Sequence, residues 1–245
     1  RVFYDMFELE YQNPSPISFK QRRFINNLDS KALSPSRVKK IYTIGNEVSK
    51  RLYEYNAIES EVLHPALLFD DFKTSDPGNY LFIPSRLHRW KRIDLVIKAM
   101  EYTKSPVELK IAGKGEDEDY YRKIAKNNSR IEFLGRVSDE ELIDLYAHAL
   151  AVPFTPIHED YGYVTLEAFK SCKPVITCKD SGEPSFFVKN GLNGFVCDPD
   201  PQDIANKIDS LFNNREKAIK MGLYGKETIA HINWVNIRQK LISSL

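Results

Sequence analysis

The chain has 245 residues, of which 42% are hydrophobic and 28% are charged, a balance that favours one large folded domain or two small ones. Its 35 basic and 34 acidic side chains leave a net charge of +1, so charge gives no reason to expect nucleic acid as a partner. No apolar run approaches the roughly 18 residues of a membrane-spanning helix. The first residues, RVFYDMFELE, have neither an initiator Met nor a signal-peptide pattern, so we expect a piece of a longer protein.

The three cysteines, Cys172, Cys178 and Cys197, lack the spacing of metal ligands. An odd number of isolated cysteines in apolar stretches is typical of a reducing compartment. We therefore expect a cytoplasmic protein, with peripheral association at the inner face of the membrane as an open alternative.

The first part of the chain is polar and predicts few elements. The pattern favours a basic helix over residues 17–33, a short strand over 39–45, a helix over 47–55 and the start of a strand over 62–65. Its basic groups are most simply solvated faces, because no strong apolar moment supports a membrane-surface role. Residues 69–79 contain Asp, Ser, Pro and Gly, which is linker chemistry, so we place a domain boundary there.

Beyond this boundary, short apolar strands alternate with helical patterns. Strands are predicted at 80–84, 107–113, 131–135, 150–155, 174–178 and 194–197. Helices are predicted at 93–100, 117–127, from the Ser138–Glu141 capping box onward, at 164–169 and from Asp200–Pro201 onward. This alternation predicts an α/β fold, a Rossmann-like doubly wound parallel sheet with helices on both faces. Ligands of such sheets bind at the carboxyl ends of the strands, beside a topological switch point.

The stretch HEDYGYVTLE, residues 158–167, carries two carboxylates around a lone glycine. Glu159 and Glu167 are eight positions apart, which on one helix leaves them about 80° out of line. We therefore expect Glu159 in a loop, Gly162 at the turn, and Glu167 about one turn into the following helix. The free N–H groups of such a helix start favour an anion. The arrangement suits a ligand with phosphate and hydroxyl groups; the alternative is two surface acids around an ordinary helix start.

Two cations follow the predicted strand at 80–84. The guanidinium of Arg86 can chelate a phosphate through two N–H groups, and the ammonium of Lys91 adds a compact charge. The alternative is a solvated basic loop that caps its neighbours, because phosphate affinity requires several convergent donors.

Small residues and turns follow the next strands. Gly113 and Gly115 allow close backbone approach after the second strand, although a plain turn explains them equally well. Arg136 and Val137 follow the third strand and are a weak signal alone. Residues 180–184 follow the fifth strand and form either a ligand cradle or a simple turn.

In this order, the loops resemble the nucleotide-sugar-binding half of retaining glycosyltransferases of the GT-B fold, within the large family four of bacterial and archaeal mannosyl- and glucosyltransferases. The resemblance rests on the two cations, the two glycines, FLG at 133–135, the two acids, KPVIT at 173–177 and NGLNGFV at 190–196. It is nearly continuous from residue 80 to about residue 212. The stretch 39–67 also resembles the last strand–helix–strand of that family's N-terminal domain.

The resemblance implies catalytic and donor-binding roles for the charged residues. Arg86 and Lys91 would contact the diphosphate and neutralise the leaving nucleotide. Glu159 would contact the donor sugar near the reacting carbon, and Glu167 would accept hydrogen bonds from the ribose hydroxyls. Such enzymes generally need no metal cofactor, because the Arg/Lys pair replaces it.

The remaining roles implied by the resemblance belong largely to backbone groups. N–H groups around Tyr161, Gly162 and Tyr163 would hold sugar and phosphate. The loop that contains Gly113 and Gly115 and the loop that contains Arg136 and Val137 would approach the base.

The resemblance also implies an organisation and an activity. Residues 1–72 would be a remnant of the acceptor-side domain, 73–230 the donor-binding domain, and 231–245 a helix that crosses back to the first domain. The expected reaction is hexose transfer with retention from a nucleoside-diphosphate sugar, of the GDP-mannose or UDP-hexose type, to a glycan or lipid-linked acceptor. The acceptor would bind through the missing part, so this piece alone is expected to be inactive or weakly active.

Two other functions stay open at this point: a GT-B epimerase or hydrolase acting on a sugar nucleotide, and a non-catalytic nucleotide-sugar-binding module. Three positions also depart from the family's pattern. Many relatives have a small residue, often Gly, where Arg92 and Cys172 stand, and many carry an acid in place of Ser185. The last departure puts only a secondary contact in doubt.

Overall fold

The computed structural model describes residues 16–34 and 36–243. These residues divide into two compact units: one contains 16–64 together with 237–243, and the other is Pro65–Asn236. Parts of the predicted first and last segments, residues 1–15 and 244–245, lie outside the described residues. The domain limits predicted at residues 72 and 230 stay predictions.

The smaller unit has short elements with little regular sheet. Its elements are α1 (Pro16–Ala32), β1 (Tyr42–Thr43), α2 (Asn46–Asn56) and β2 (Glu61–Val62). The two strands pair in parallel, with Tyr42 opposite Glu61. Both strands are shorter than predicted. Their apolar runs are short and are flanked by polar residues.

The strands of the larger unit run parallel throughout. They are β3 (Tyr80–Pro84), β4 (Glu108–Ala112), β5 (Ile131–Gly135), β6 (Val152–Pro153), β7 (Val175–Cys178) and β8 (Gly194–Cys197). β4 pairs with β3 and β5, and β7 pairs with β6 and β8. A parallel bridge between Leu81 and Ala151 joins the two groups. The order across the sheet is therefore β5-β4-β3-β6-β7-β8.

Helices separate the strands along the chain, and two of their predicted starts are confirmed. They are α3 (Ile93–Tyr102), α4 (Glu118–Ala125), α5 (Asp139–His148), α6 (Tyr163–Lys170), α7 (Glu183–Phe187), α8 (Pro201–Phe212), α9 (Arg215–Thr228) and α10 (Trp234–Ile242). Ser138 and Glu141 form the reciprocal capping box, and the Asp200 side chain accepts a hydrogen bond from the Asp203 N–H. The five-residue helix α7 lies in a segment that the sequence predicts as a loop.

The sheet is covered on both faces, as the apolar strands predict. Leu81 and Ile83 belong to the buried core that includes Val96 of α3. Between them, Phe82 points to the opposite face, where its ring packs edge-on against Tyr146 of α5 with centroids 5.1 Å apart. Burial of each such side chain stabilises the fold by about 1.5–3 kcal/mol.

The strand order determines where the loops meet. β3 and β6 are neighbours in the sheet, but their connections run to opposite sides, β3 toward β4 and β6 toward β7. This is the switch point at which open α/β sheets bind their ligands. The loops that follow β3 and β6, residues 85–92 and 154–162, therefore emerge side by side. The predicted α/β, doubly wound parallel sheet is confirmed.

Candidate functional site

A lysine and a glutamate from the two loops meet at the switch point. Lys91 ends the 3₁₀ turn Arg89–Lys91, and its Nζ lies 2.5 Å from Oε2 of Glu159. The two side chains are 26% and 23% exposed, so the pair is partly shielded from water. The Lys91 ammonium also lies 5.6 Å from the centroid of the Phe154 ring. The structure thus brings together two residues for which the resemblance implies catalytic roles.

The loop after β7 holds the backbone of Glu159 on both sides. The N–H of Glu159 donates to the carbonyl of Ser181 over 3.0 Å, and the N–H of Glu183 donates to the carbonyl of Glu159 over 2.9 Å. Gly182 lies between these contacts with φ +73°, and a Cβ there would stand 2.4 Å from the Glu159 carbonyl oxygen. Only glycine fits this position, because any side chain would push Glu159 away.

Gly162 brings the start of α6 against the same acid. It is the N-cap of α6 in the left-handed conformation, with φ +81°. A Cβ on Gly162 would stand 2.9 Å from the Phe154 ring and from Pro184, and 3.5 Å from Cγ of Glu159. The predicted turn at Gly162 and helix after it are confirmed, and Glu159 lies in a loop as predicted.

Glu167 is the fifth residue of α6 and is held by a tyrosine from α5. The hydroxyl of Tyr146 donates to Oε2 of Glu167 over 2.5 Å. Burial raises the pKa of the Glu167 carboxyl above its ordinary value, and the hydrogen bond from Tyr146 acts in the opposite direction. Burial, together with the nearby carboxylate, also raises the pKa of Tyr146 far above its usual range.

Sequence reasoning gave Tyr146 no role at the site. Tyr146 is wholly buried. A signal was present, since a buried tyrosine hydroxyl usually finds a hydrogen-bond partner. The partner itself was not predictable, because Glu167 lies on another helix.

Arg86 stands apart from Lys91 and has a different carboxylate. Its Nη2 donates to Oε1 of Glu116, and the two side chains are 65% and 56% exposed. The pKa of Glu116 is lowered, first by a backbone hydrogen bond and then by Arg86. Both cations predicted to contact one diphosphate are therefore paired with carboxylates in this structure.

Gly113 and Gly115 are required by the close approach of two loops. A Cβ on Gly113, which has φ +129°, would lie 1.9 Å from the Ser85 carbonyl oxygen. A Cβ on Gly115 would lie 2.1 Å from the Leu87 carbonyl oxygen. The two glycines allow close approach to the backbone on either side of Arg86, and the predicted approach of their loop to a base stays a prediction.

Arg136 and Val137 follow β5 beside this glycine loop. The N–H of Gly113 donates to the carbonyl of Gly135 over 2.6 Å, which ties the ends of β4 and β5 together. Arg136 is exposed and Val137 is half-buried. Their predicted approach to a base stays a prediction.

The side chain of Tyr161 is used within the fold. Its hydroxyl donates to the carbonyl of Pro65, and its ring packs edge-on against Tyr163 with centroids 4.8 Å apart. The ring of Tyr163 itself is 43% exposed. Only the backbone groups of Tyr161 thus remain for the ligand role that the resemblance implies.

Within residues 16–34 and 36–243, no cluster of three or more His, Cys, Asp or Glu side chains could hold a metal ion. Across the same ranges, no helix has the length and apolar character needed to cross a membrane.

The sequence matches the profile of the family "Glycosyl transferases group 1" over residues 68–228, and the chain belongs to this family. Among curated relatives, it is 28% identical over 211 residues to the alpha-1,3/1,6-mannosyltransferase ALG2 of Dictyostelium discoideum, covering 75% of this chain and 48% of that protein. It is 25% identical over 210 residues to the O-antigen chain mannosyltransferase C of Escherichia coli, covering 82% and 56%. The chain thus spans about half the length of the curated relatives it matches.

Solved structures share the fold at low sequence identity. The Anabaena protein HepE, solved with UDP and glucose, superposes with a TM-score of 0.78 at 22% identity, covering 94% of this chain and 69% of that one. Sucrose-phosphate synthase from Thermosynechococcus elongatus gives a TM-score of 0.78 at 18% identity, covering 96% and 63%. The predicted GT-B, Rossmann-like fold class and the predicted relationship to GT-B glycosyltransferases are both confirmed.

Proposed function

We propose that this chain is the donor-binding part of a retaining glycosyltransferase. The enzyme transfers a hexose from a nucleoside-diphosphate sugar, of the GDP-mannose or UDP-hexose type, to a glycan or lipid-linked acceptor. The observation that carries the proposal is the Lys91–Glu159 pair beside the start of α6, at the switch point of the sheet. Membership of the family and similarity to proteins named as mannosyltransferases support it.

The diphosphate is bound by Lys91, Arg86 and the first N–H groups of α6. The first N–H groups of a helix lack intrahelical partners and attract anions. Lys91 and Arg86 exchange their carboxylate partners, Glu159 and Glu116, for phosphate oxygens. Each charge-assisted hydrogen bond contributes about 1.5–3 kcal/mol.

The two acids bind the hydroxyl-bearing parts of the donor. Tyr146 occupies one oxygen of Glu167, so the other oxygen accepts hydrogen bonds from the ribose hydroxyls. Glu159, once released by Lys91, accepts from the donor sugar near its reacting carbon. The backbone N–H groups of Tyr161, Gly162 and Tyr163 complete the sugar and phosphate contacts.

In the reaction, the bond between the anomeric carbon and the phosphate oxygen breaks while the acceptor hydroxyl oxygen bonds to that carbon on the same face of the sugar. The leaving phosphate oxygen keeps the electron pair of the broken bond and takes up the proton of the acceptor hydroxyl. Negative charge grows on the leaving diphosphate. Lys91, Arg86 and the helix N–H groups are in place before this charge develops, which lowers the barrier because no reorganisation is needed. We propose that these groups make a metal ion unnecessary.

The acceptor binds through the part of the enzyme that lies beyond this chain, so the chain alone is inactive or weakly active. We place the enzyme in the cytoplasm, with peripheral contact to the inner face of the membrane where its acceptor is lipid-linked. Nucleic acid is not a partner in this proposal, since the net charge is only +1.

Nucleotide binding tests the proposal directly. UDP, GDP and ADP are each added at millimolar concentration, and the melting temperature is measured. One of them at about 100 times its Kd stabilises the chain by roughly 2.7 kcal/mol, and Lys91→Ala removes the response. Lys98→Ala is the matched control, because Lys98 pairs with Asp94 on the exposed side of α3. A chain that responds to none of the three nucleotides contradicts the proposal.

The reaction itself is tested on the longer protein. A labelled donor and a glycan or lipid acceptor are incubated with and without EDTA, and the product's anomeric configuration is read by NMR. We expect retention and an unchanged rate with EDTA. Release of free sugar as the sole product indicates a hydrolase instead.

A further inference from the structure

Arg92 follows Lys91 and bonds to the two other loops at the switch point. Its Nε donates to the carbonyl of Thr155 and its Nη2 to that of Pro156, each over 2.8 Å. Its Nη1 and Nη2 also donate to the two carboxylate oxygens of Asp180, over 2.7 and 2.6 Å. One guanidinium thus ties the loop after β3 to those after β6 and β7.

The backbone of Arg92 is held in an unfavourable conformation. Its φ is +46°, in the left-handed region, which costs a non-glycine residue about 1–3 kcal/mol. An arginine persists in such a conformation only where its surroundings determine it strongly. The Thr155 hydroxyl adds to this by donating to the Arg92 carbonyl over 3.3 Å.

Asp180 is the charge partner of Arg92. Burial raises its pKa, but the hydrogen bonds and charge of Arg92 outweigh burial and hold the pKa of Asp180 below its ordinary value. The carbonyl of Asp180 also accepts a hydrogen bond from the N–H of His158 over 3.0 Å. Asp180 therefore contacts His158, the residue that precedes Glu159 in the chain. Arg92 in turn follows Lys91 directly in the chain.

From this geometry we infer that Arg92 and Asp180 are positioning residues that hold Lys91 and Glu159 at the spacing the donor requires. The inference rests on the proposed function. Arg92 is only 14% exposed, and four of its five guanidinium N–H donors have protein partners, so it acts through its neighbours on the chain. Arginine is needed because its planar fork bonds both carboxylate oxygens at once, which an ammonium cannot do.

Arg130 provides a matched control at the opposite ends of the strands. Its Nη1 donates to the Thr103 hydroxyl over 2.8 Å and to the Ser105 carbonyl over 2.9 Å, and its Nη2 donates to the Met100 carbonyl. It is also partly buried and joins separate segments. An arginine that serves only the fold should behave as Arg130 does.

The experiment measures two quantities for each variant of this chain: the melting temperature without ligand, and the Kd of the nucleoside diphosphate that binds the wild type best, by calorimetry. Arg92→Gly is expected to weaken binding at least tenfold, and relief of the left-handed strain by glycine offsets part of the stability that is lost with the hydrogen bonds. Arg92→Lys should weaken binding similarly. Arg130→Ala should lower the melting temperature and leave the Kd within twofold.

Asp180→Asn removes the same ion pair while keeping Arg92. If Arg92→Gly does not fold, this variant alone tests the positioning role. It is expected to weaken binding, and the double variant should bind no more weakly than Arg92→Gly alone, since coupled residues are not additive. Wild-type affinity in Arg92→Gly or Asp180→Asn overturns the inference but leaves the proposed function standing. If the wild type itself binds no nucleotide, the proposed function fails instead.

Discussion

The two ends of the parallel strands use charged side chains differently. At the amino ends, Arg215 donates to the carbonyls of Pro77 and Gly78, and Asp209 accepts from the N–H groups of Lys104 and Ser105. These partners are neutral backbone groups that otherwise lack a strand or helix partner. At the carboxyl ends, Arg86 and Lys91 face carboxylates instead, and Arg92 bonds both to a carboxylate and to backbone carbonyls.

This difference separates stability from binding. A backbone carbonyl cannot leave the fold, so a charge bonded to it serves the fold alone. A carboxylate side chain can be replaced by a phosphate oxygen, so Arg86 and Lys91, which are each paired with one, are available to a ligand. The same residue types therefore stabilise the fold at the amino ends of the strands and form a ligand-binding site at the carboxyl ends.

The largest effect is expected for Gly182→Ala, which tests whether the backbone of the loop after β7, at the carboxyl ends of the strands, is rigid. The new Cβ would meet the Glu159 carbonyl oxygen at 2.4 Å with φ at +73°. We expect the free energy of unfolding in urea to fall by about 3 kcal/mol or more, and nucleotide binding to weaken. Gly191→Ala is the control, since its φ is +81° but no atom lies within 4 Å; it should cost about 1 kcal/mol. Equal costs would show that the loop yields to the Cβ.

The next largest effect is expected for Lys173→Met, which tests whether a charge at the amino ends of the strands contributes to stability alone. Lys173 is 2% exposed, its Nζ donates to the Ser75 carbonyl over 2.7 Å, and burial lowers its pKa to about 8. Because the unfolded lysine keeps its proton up to about pH 10.4, the unfolded state binds more protons between these values. The wild type should therefore gain about 3 kcal/mol relative to the variant as pH rises from 8 to 10.5, and none below 8.

Urea unfolding of both proteins across this pH range measures the difference. The comparison must be between the two proteins, because burial raises the thiol pKa of Cys178 and Cys197 to about 12 and so lowers the stability of both proteins above pH 9. Nucleotide affinity at pH 7 should be the same in both. A loss of nucleotide affinity in Lys173→Met would contradict the view that charges at the amino ends of the strands serve stability alone.

Tyr146→Phe should have a smaller effect on stability and a distinct effect on binding. It removes the hydroxyl that donates to Glu167, and loss of a hydrogen bond to a charged group costs about 1.5–3 kcal/mol. Glu167 also loses its orientation, so nucleotide affinity should fall several-fold. Tyr80→Phe is the control at the amino edge, where the hydroxyl donates to the Leu145 carbonyl over 2.9 Å. It should cost about 1 kcal/mol without changing the affinity measured by calorimetry.

The smallest effect is expected for Glu116→Gln. The Arg86–Glu116 pair is more than half exposed, and such pairs contribute little to stability. The melting temperature should not change, whereas nucleotide affinity should rise a few-fold because Arg86 no longer has to leave a carboxylate. Glu118→Gln, which loses a pair with Arg122 on the same helix, should leave affinity unchanged. Weaker binding in Glu116→Gln would mean that the carboxylate helps to position Arg86.

The sheet was predictable because its strands are short apolar runs separated by turn residues. The predicted strands at 131–135 and 194–197 have the observed limits, and the capping box at Ser138 is confirmed. The helix α7 was not predictable, because its start depends on Ser181 and Glu183 bonding to Glu159, a contact between distant parts of the chain.

The local structure around the candidate site was predictable, but the pairings of its side chains were not. The loop, turn and helix around Gly162 follow from local sequence. The partners of Arg86, Arg92 and Glu167, by contrast, lie 30, 88 and 21 residues away along the chain. Such pairings depend on strand order, which periodicity along one segment does not contain.

The bridge between Leu81 and Ala151 also has a consequence for the order of folding. All of β4 and β5 lies between these two residues, whereas the pairs β3–β4, β4–β5, β6–β7 and β7–β8 join strands that are neighbours along the chain. Loop-closure entropy penalises the longer connection, so local pairs form faster than distant ones. We expect each half of the sheet to assemble first and the central bridge to close late. Lys91 and Glu159 follow strands in opposite halves of the sheet. We therefore expect their ion pair to form late in folding.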